Sequence, residues 1–131
     1  MELLEGGSLF DRVAKRNSTG LPLSERDLAI SFRSAMEAVL SVHNNGYLHR
    51  DLKLDNVMYL SPEEGAQVKL VDFGYMCELP TSGDIVHDPL MGTEGCFAPE
   101  SIMRMEYSTK SDVFQAGCVL YTLLAGHPVS T

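Results

Sequence analysis

The chain has 131 residues, enough for one small core or a piece of a larger domain. Its formal net charge of −8 disfavours nucleic acid or an anionic membrane as the main partner, because both are held by clustered Lys and Arg. No apolar run approaches the roughly 20 residues that cross a bilayer, the longest being the interrupted Val113 to Ala125, and Glu2 and Glu5 stand where a secretory leader has basic and apolar residues; a cytoplasmic protein with no membrane partner is expected.

In chain order, Ser8 with Asp11 opens a first helix that is expected to stop in the turn-forming cluster Asn17 to Pro22. Ser24 with Asp27 repeats the start signal. Leu28, Phe32, Ala35, Met36, Val39 and His43 then recur at helical spacing, and Asn45-Gly46 supplies a left-handed stop. Val57 to Leu60 and Gln67 to Val71 are β-prone runs divided by Pro62 and Gly65, which predicts a hairpin. From Glu78 to Gly95 no element is predicted, and so long a loop in a compact domain is usually functional. Asp112 to Ala125 is apolar nearly all the way round, predicting a helix buried on every side and ended by Gly126 and Pro128. Cys77, Cys96 and Cys118 are odd in number and lack C-x-x-C spacing, so neither a zinc site nor a disulfide framework is expected, only reduced structural thiols.

Four strings carry the chemistry. His49-Arg50-Asp51-Leu52-Lys53-Leu54-Asp55-Asn56 fits the pattern H-R-D-L-x-x-x-N at every fixed position. Asp72-Phe73-Gly74 follows a predicted strand one short hairpin later, Ala98-Pro99-Glu100 closes the long loop, and Ser111-Asp112-Val113-Phe114-Gln115-Ala116-Gly117 starts the last helix. In this order they resemble eukaryotic-type protein kinases, with a lysine at position 53 that marks the serine/threonine pattern. Asp112 is informative on physical grounds alone. A carboxylate opening an apolar helix either finds hydrogen-bond partners or merely favours the positive end of its own helix. The resemblance implies the first, with donors from the catalytic-loop backbone.

The resemblance further implies an α+β, protein-kinase-like fold, present here in part: the mainly α-helical C-terminal lobe with a short β-hairpin. Residues 1–131 would form a partial kinase domain, with a hinge at 1–7, the catalytic loop at 49–56, the activation segment at 72–100 and the central helix at about 111–125. The phosphate-covering loop, strand lysine and paired glutamate of the family precede the hinge, and its final helices follow the central one. None is among these residues, so an internal methionine read as a start is expected, and apolar faces meant for those parts would be exposed.

The implied activity is transfer of the terminal phosphate of ATP to a serine or threonine of a protein, with Mg²⁺. Its transition state spreads negative charge over the phosphate and needs positioning and cations more than covalent help. Asp51 would hold and deprotonate the substrate hydroxyl, and Lys53, two residues on in an extended loop, would neutralise the phosphate beside it. Asn56 and Asp72 offer the oxygens that hard Mg²⁺ prefers, and Gly74 permits the turn after Asp72. By the same resemblance Met1 is the gatekeeper, the backbones of Glu2 and Leu4 bind adenine, Met58 lies under the base, and Thr93 touches the catalytic aspartate and lysine.

Glu2 to Val13 and Met58 to Glu64 are most similar to the calcium/calmodulin-dependent kinase group, which implies regulation by a calcium sensor. Most members of that group carry an acid where this chain has Ser8, so a preference for arginine-rich peptides does not carry over. Arg50 in such kinases commonly neutralises a phosphorylated residue at the position of Pro89. Here Asp88 would supply the anion permanently, or Thr81 and Ser82 would be modified instead. Two other readings are a pseudokinase or scaffold that binds without turnover, against which intact Asp51, Lys53, Asn56 and Asp72 argue, and a small-molecule phosphotransferase, which Lys53, Thr93 and Ala98-Pro99-Glu100 suit less well.

Overall fold

The computed structural model describes residues 6–20, 24–63, 65–80, 84–91 and 96–127. Helix α1 spans Leu9–Thr19 because Ser8 and Asp11 cap it reciprocally: Ser8 Oγ accepts from the Asp11 N–H at 3.1 Å, and the Asp11 carboxylate accepts from the Ser8 N–H at 2.9 Å. The helix ends at Thr19 with Gly20 left-handed at φ 72°, inside the Asn17 to Pro22 cluster where the sequence predicts the stop. The Ser18 and Thr19 hydroxyls donate back to the Lys15 carbonyl, which accommodates both polar residues within the last turn.

Helix α2, Glu25–Asn44, starts as predicted with the Ser24 hydroxyl accepting from the Asp27 N–H. The left-handed residue at its end is Gly46, at φ 83°, while Asn45 keeps a negative φ. Leu28, Ala35 and Val39 enter the core on one face, with Phe32 and Met36 packed beside them.

Among the described residues six short strands pair antiparallel. They are β1 (Tyr47–Leu48) with β4 (Cys77–Glu78), β2 (Val57–Tyr59) with β3 (Val68–Leu70), and β5 (Val86–His87) with β6 (Glu106–Tyr107). The central pair is the predicted hairpin. Bonds from Leu60 N to Gln67 O and from Val71 N to Asn56 O lengthen it at both ends. The other two pairs correct the reading of 78–95 as a loop without elements; two-residue strands carry no alternation from which to predict them.

The hairpin is pinned to both helices by one polar cluster. The Arg12 guanidinium lies 3.4 Å from the Tyr59 ring centroid and donates to Asp27 Oδ2 at 3.3 Å, while Asp27 Oδ1 accepts from the Gly65 N–H at 2.6 Å. The Tyr59 hydroxyl meets Ser31 Oγ at 2.7 Å, and burial pushes its pKa above the ordinary phenol value. Gly6 lies so close to Tyr59 and the Ser61 carbonyl that a Cβ would clash with both.

Helix α3, Pro99–Arg104, leads through β6 to α4, Thr109–Ala125. Arg16 of α1 donates to the Leu123 carbonyl at 2.7 Å, and Asn17 donates to Gly126 O, closing the C-terminal carbonyls of α4. Helix α4 is not buried on every side. Asp112, Gln115, Ala116, Val119 and Leu123 are buried, whereas Val113, Phe114, Tyr121 and Leu124 are exposed, with the His127 ring edge-on to Tyr121 at 5.7 Å between centroids.

A second correction concerns the thiols. Cys96 and Cys118 form a disulfide with Cα atoms 6.3 Å apart, while Cys77 stays a thiol. An odd cysteine count leaves room for one pair, and 22 residues of sequence separation conceal the proximity that folding creates. No described helix is long and apolar enough to cross a membrane.

Replacing Asp27 by Ala removes the carboxylate partner of the half-buried Arg12 guanidinium and the acceptor of the Gly65 N–H. A loss of about 3 kcal/mol is expected from urea unfolding midpoints of the two chains at equal slope.

Candidate active site

The loop after β1 carries His49 to Lys53 and is buried for most of its length. Its backbone N–H groups have no strand or helix to satisfy them locally, and an unpaired buried amide is costly. Helix α4 supplies the acceptors. Asp112, fully buried, accepts from the His49 N–H through Oδ2 and from the Arg50 N–H through Oδ1, each at 2.9 Å. One turn on, Gln115 Oε1 accepts from the Leu52 N–H at 3.0 Å, and its Nε2 donates to the Arg50 carbonyl at 3.2 Å. His43, at the end of α2, places Nε2 2.8 Å from Asp112 Oδ2. The carboxylate therefore does what the resemblance implies; the capping of α4 falls to Ser108, whose hydroxyl accepts from Lys110 N.

On this support the proposed site residues come together. Asp51 is buried, with a carboxylate oxygen 3.3 Å from Asn56 Nδ2 and 3.9 Å from Lys53 Nζ. Asn56 Nδ2 also donates to the Asp51 carbonyl at 2.8 Å, which closes the loop on itself through a 3-10 turn at Leu54–Asn56. With its amine group so engaged, the lone pairs that a cation needs are on Oδ1. The expected approach of Lys53 to Asp51 is thus found in the geometry.

Asp72 joins from the far end of the hairpin. Its neighbour Val71 donates its N–H to the Asn56 carbonyl at 2.9 Å, and the Val71 carbonyl lies 3.4 Å from His49 Nε2. The Phe73 ring meets the edge of the His49 ring at 5.4 Å between centroids. Asp72 itself is exposed, at φ 59°, and the Gly74 N–H donates to its Oδ1. Arg50, at φ 71°, is the other non-glycine of this site in the left-handed region, and such strain persists where surrounding bonds hold it.

These oxygens suit Mg²⁺. A magnesium ion shared with phosphates needs only one or two side-chain oxygens from the protein, and Asn56 Oδ1 with the Asp72 carboxylate are of that hard type. No larger group of His, Cys, Asp or Glu exists among the described residues to form an all-protein cage. Met58 is half-buried on β2, its side chain on the opposite face from the core residues Val57 and Tyr59, as a surface under a base requires. Met1, Glu2, Leu4 and Thr93 lie outside the described residues. Ser8 is buried and engaged in capping α1, so no charge faces outward from that position.

Three groups at the site went unread in the sequence. Gln115 could have been found, since it lies one turn from Asp112 on the same face of a helix. His43 read only as the last apolar-face position of α2. The Tyr75 carbonyl, which accepts from Arg50 Nε at 2.7 Å, leaves no side-chain signal at all.

A sequence model of the protein kinase domain matches residues 1–131. Among curated proteins, calcium/calmodulin-dependent protein kinase type 1 of Macrobrachium nipponense is 37% identical over 128 residues, covering 98% of this chain and 35% of the relative. Calcium/calmodulin-dependent protein kinase type IV of Homo sapiens is 38% identical over 130 residues, covering 96% of this chain and 25% of the relative. Calcium-dependent protein kinase 21 of Oryza sativa subsp. japonica is 39% identical over 128 residues, covering 98% and 21%. The chain spans about a third or less of the length of the curated relatives it matches.

Removing the Asp112 carboxylate leaves two buried N–H groups without acceptors. Asp112→Ala is expected to cost about 3 kcal/mol and to speed amide exchange at His49 and Arg50 about a hundredfold, read residue by residue by NMR.

Proposed function

This chain belongs to the protein kinase domain family, and on that premise we propose that it supplies the catalytic loop and metal-binding groups of a protein serine/threonine kinase acting with ATP and Mg²⁺. One observation carries the reading: Asp51, Lys53 and Asn56 share one loop fastened to α4, and the hairpin ladder bonds Val71, the residue before Asp72, to the Asn56 carbonyl.

Asp51 accepts the proton of the substrate hydroxyl as the oxygen attacks phosphorus. Its carboxylate is oriented by Asn56 Nδ2, so little reorganisation is needed at the moment of transfer. Lys53 sets its ammonium beside that carboxylate, where it meets the charge of the moving phosphate. Asn56 and Asp72 would hold Mg²⁺, which when bound neutralises negative charge on the phosphates and fixes their orientation. Met58 lies under the adenine, and Met1, Glu2 and Leu4 are assigned to the hinge that binds its edge. Thr93, which lies outside the described residues, is assigned by the resemblance to contact with Asp51 and Lys53.

Arg50 supports an activation segment that is anchored without phosphate. Its Nη1 donates to Asp88 Oδ2 at 2.7 Å, its Nε to the Tyr75 carbonyl, and its guanidinium lies 5.2 Å from the Tyr107 ring centroid. Asp88 is in turn fixed by its own N–H, which donates to the Met105 carbonyl. A permanent carboxylate thus occupies the place where a phosphate would otherwise neutralise Arg50. Thr81 and Ser82 lie outside the described residues. The calcium or calmodulin dependence in the relatives' names motivates the same kind of control here, in an intracellular protein with access to ATP.

Two experiments on the full-length protein test this. Asp51→Asn is expected to lower kcat on a peptide by about 10² to 10⁴ while nucleotide affinity stays within about twofold; equal kcat in both proteins would remove Asp51 from the reaction, and binding without any peptide phosphorylation by the parent protein would favour a scaffold. Treatment with a phosphatase is expected to leave activity unchanged, whereas Asp88→Asn lowers it about tenfold. Activity that collapses on phosphatase treatment would overturn the permanent-carboxylate reading.

A further inference from the structure

The Cys96–Cys118 bond joins two parts of the site that sequence keeps apart. Cys96 ends the segment leading from the Arg50-bound Asp88 to α3, and it is half-buried. Cys118 is buried on α4, three residues past Gln115, on the side that holds the catalytic loop. Helix α4 is therefore a common post. Its Asp112 and Gln115 fasten Arg50 and Leu52, and its Cys118 fastens the far end of the activation segment.

We propose that Cys96 and Cys118 form a redox-controlled clasp that fixes the substrate-side segment of the site to α4, closed by exchange with a small disulfide of the glutathione class and opened by a dithiol. The less buried partner, Cys96, reacts first. The Cys96 thiolate attacks one sulfur of the small disulfide, breaking its S–S bond and releasing one thiol, and a mixed disulfide forms. The Cys118 thiolate then attacks Cys96 Sγ, expelling the second small thiol and forming the Cys96–Cys118 bond. In sum, two protein thiols lose two electrons and two protons, and one small disulfide becomes two thiols. A dithiol runs both steps backwards.

The third cysteine does not compete. Cys77 is held in β4 opposite Leu48 of β1, and burial pushes its thiol pKa up despite the nearby Arg50, so little of the reactive thiolate is present. Inside a reducing compartment a bond of this kind is transient, which makes it a control element and not a structural staple. When closed it holds Cys96, Phe97 and the buried Ala98 against the helix that positions Asp51, so both sides of the reaction keep one reference frame.

The significance of the clasp rests on residues 72–100 being the segment that receives the protein substrate, but its detection needs no turnover, so failure of one reading leaves the other measurable. The test uses the full-length protein equilibrated with oxidised glutathione or with dithiothreitol. Mass mapping after alkylation is expected to show a Cys96–Cys118 cross-link and an alkylated Cys77 in the first buffer, and three alkylated cysteines in the second. Amide exchange in the segment ending at Ala98 is expected to be about tenfold slower in the oxidised protein. Cys96→Ser and Cys118→Ala should each exchange at the reduced rate in both buffers, and Cys77→Ser should behave as the parent. Alkylation of both Cys96 and Cys118 after oxidation, a cross-link through Cys77, or equal exchange with the bond closed and open would each overturn the proposal.

Discussion

The carboxylate of Asp112 is fully buried in the first turn of α4 and accepts from the N–H groups of His49 and Arg50, with His43 Nε2 against the same oxygens. A buried anion is tolerated only when its lone pairs are occupied, and buried amides only when they are accepted, so each side satisfies the other's need. The result is a joint between α2, α4 and the loop after β1 that no apolar contact could make as specific. Gln115 repeats the arrangement one turn later with a neutral amide. Everything proposed for Asp51, Lys53 and Asn56 presumes this attachment, because Asp51 and Lys53 sit on a backbone without regular structure and Asn56 follows them in a single 3-10 turn.

The attachment also permits unfavourable backbone geometry. Arg50 at φ 71° and Asp72 at φ 59° each cost about 1 to 3 kcal/mol relative to an ordinary conformation. In Arg50 the peptide groups on both sides are gripped by α4, and the side chain is gripped by Asp88 and Tyr75. In Asp72 the preceding residue is locked into the hairpin ladder, and the carboxylate accepts from Gly74. Bonds at the flanks offset the strain at both residues.

Helix α4 serves three purposes. One face holds the loop after β1, its Cys118 takes the disulfide from Cys96, and its C-terminal carbonyls are closed by Arg16 and Asn17 of α1. The remaining face, with Val113, Phe114, Tyr121 and Leu124, is apolar and exposed. The polar cluster of Arg12, Asp27 and Tyr59 does for the hairpin what Asp112 does for the loop, but away from the reacting groups.

The residue string from His49 to Asn56, the helix starts at Ser8 and Ser24, and the Val57 to Val71 hairpin were legible because each rests on contacts within a few residues, where type and spacing fix the geometry. The role of Asp112 was legible for another reason: a carboxylate at the head of an apolar helix has few inexpensive fates. Sequence spacing could not reveal the disulfide between Cys96 and Cys118 or the two-residue strand pairs, since both depend on distances across long stretches of intervening chain that only the packed fold sets; the meeting of Arg50 with Asp88 was one of the fates that the resemblance left open, and the fold decided for it. Nor could apolar composition alone tell that α4 would bury one side and leave the other bare, because burial is decided by what packs against a helix and not by the helix itself. Local chemistry thus came from the sequence, and the tertiary fold decided which distant groups share it.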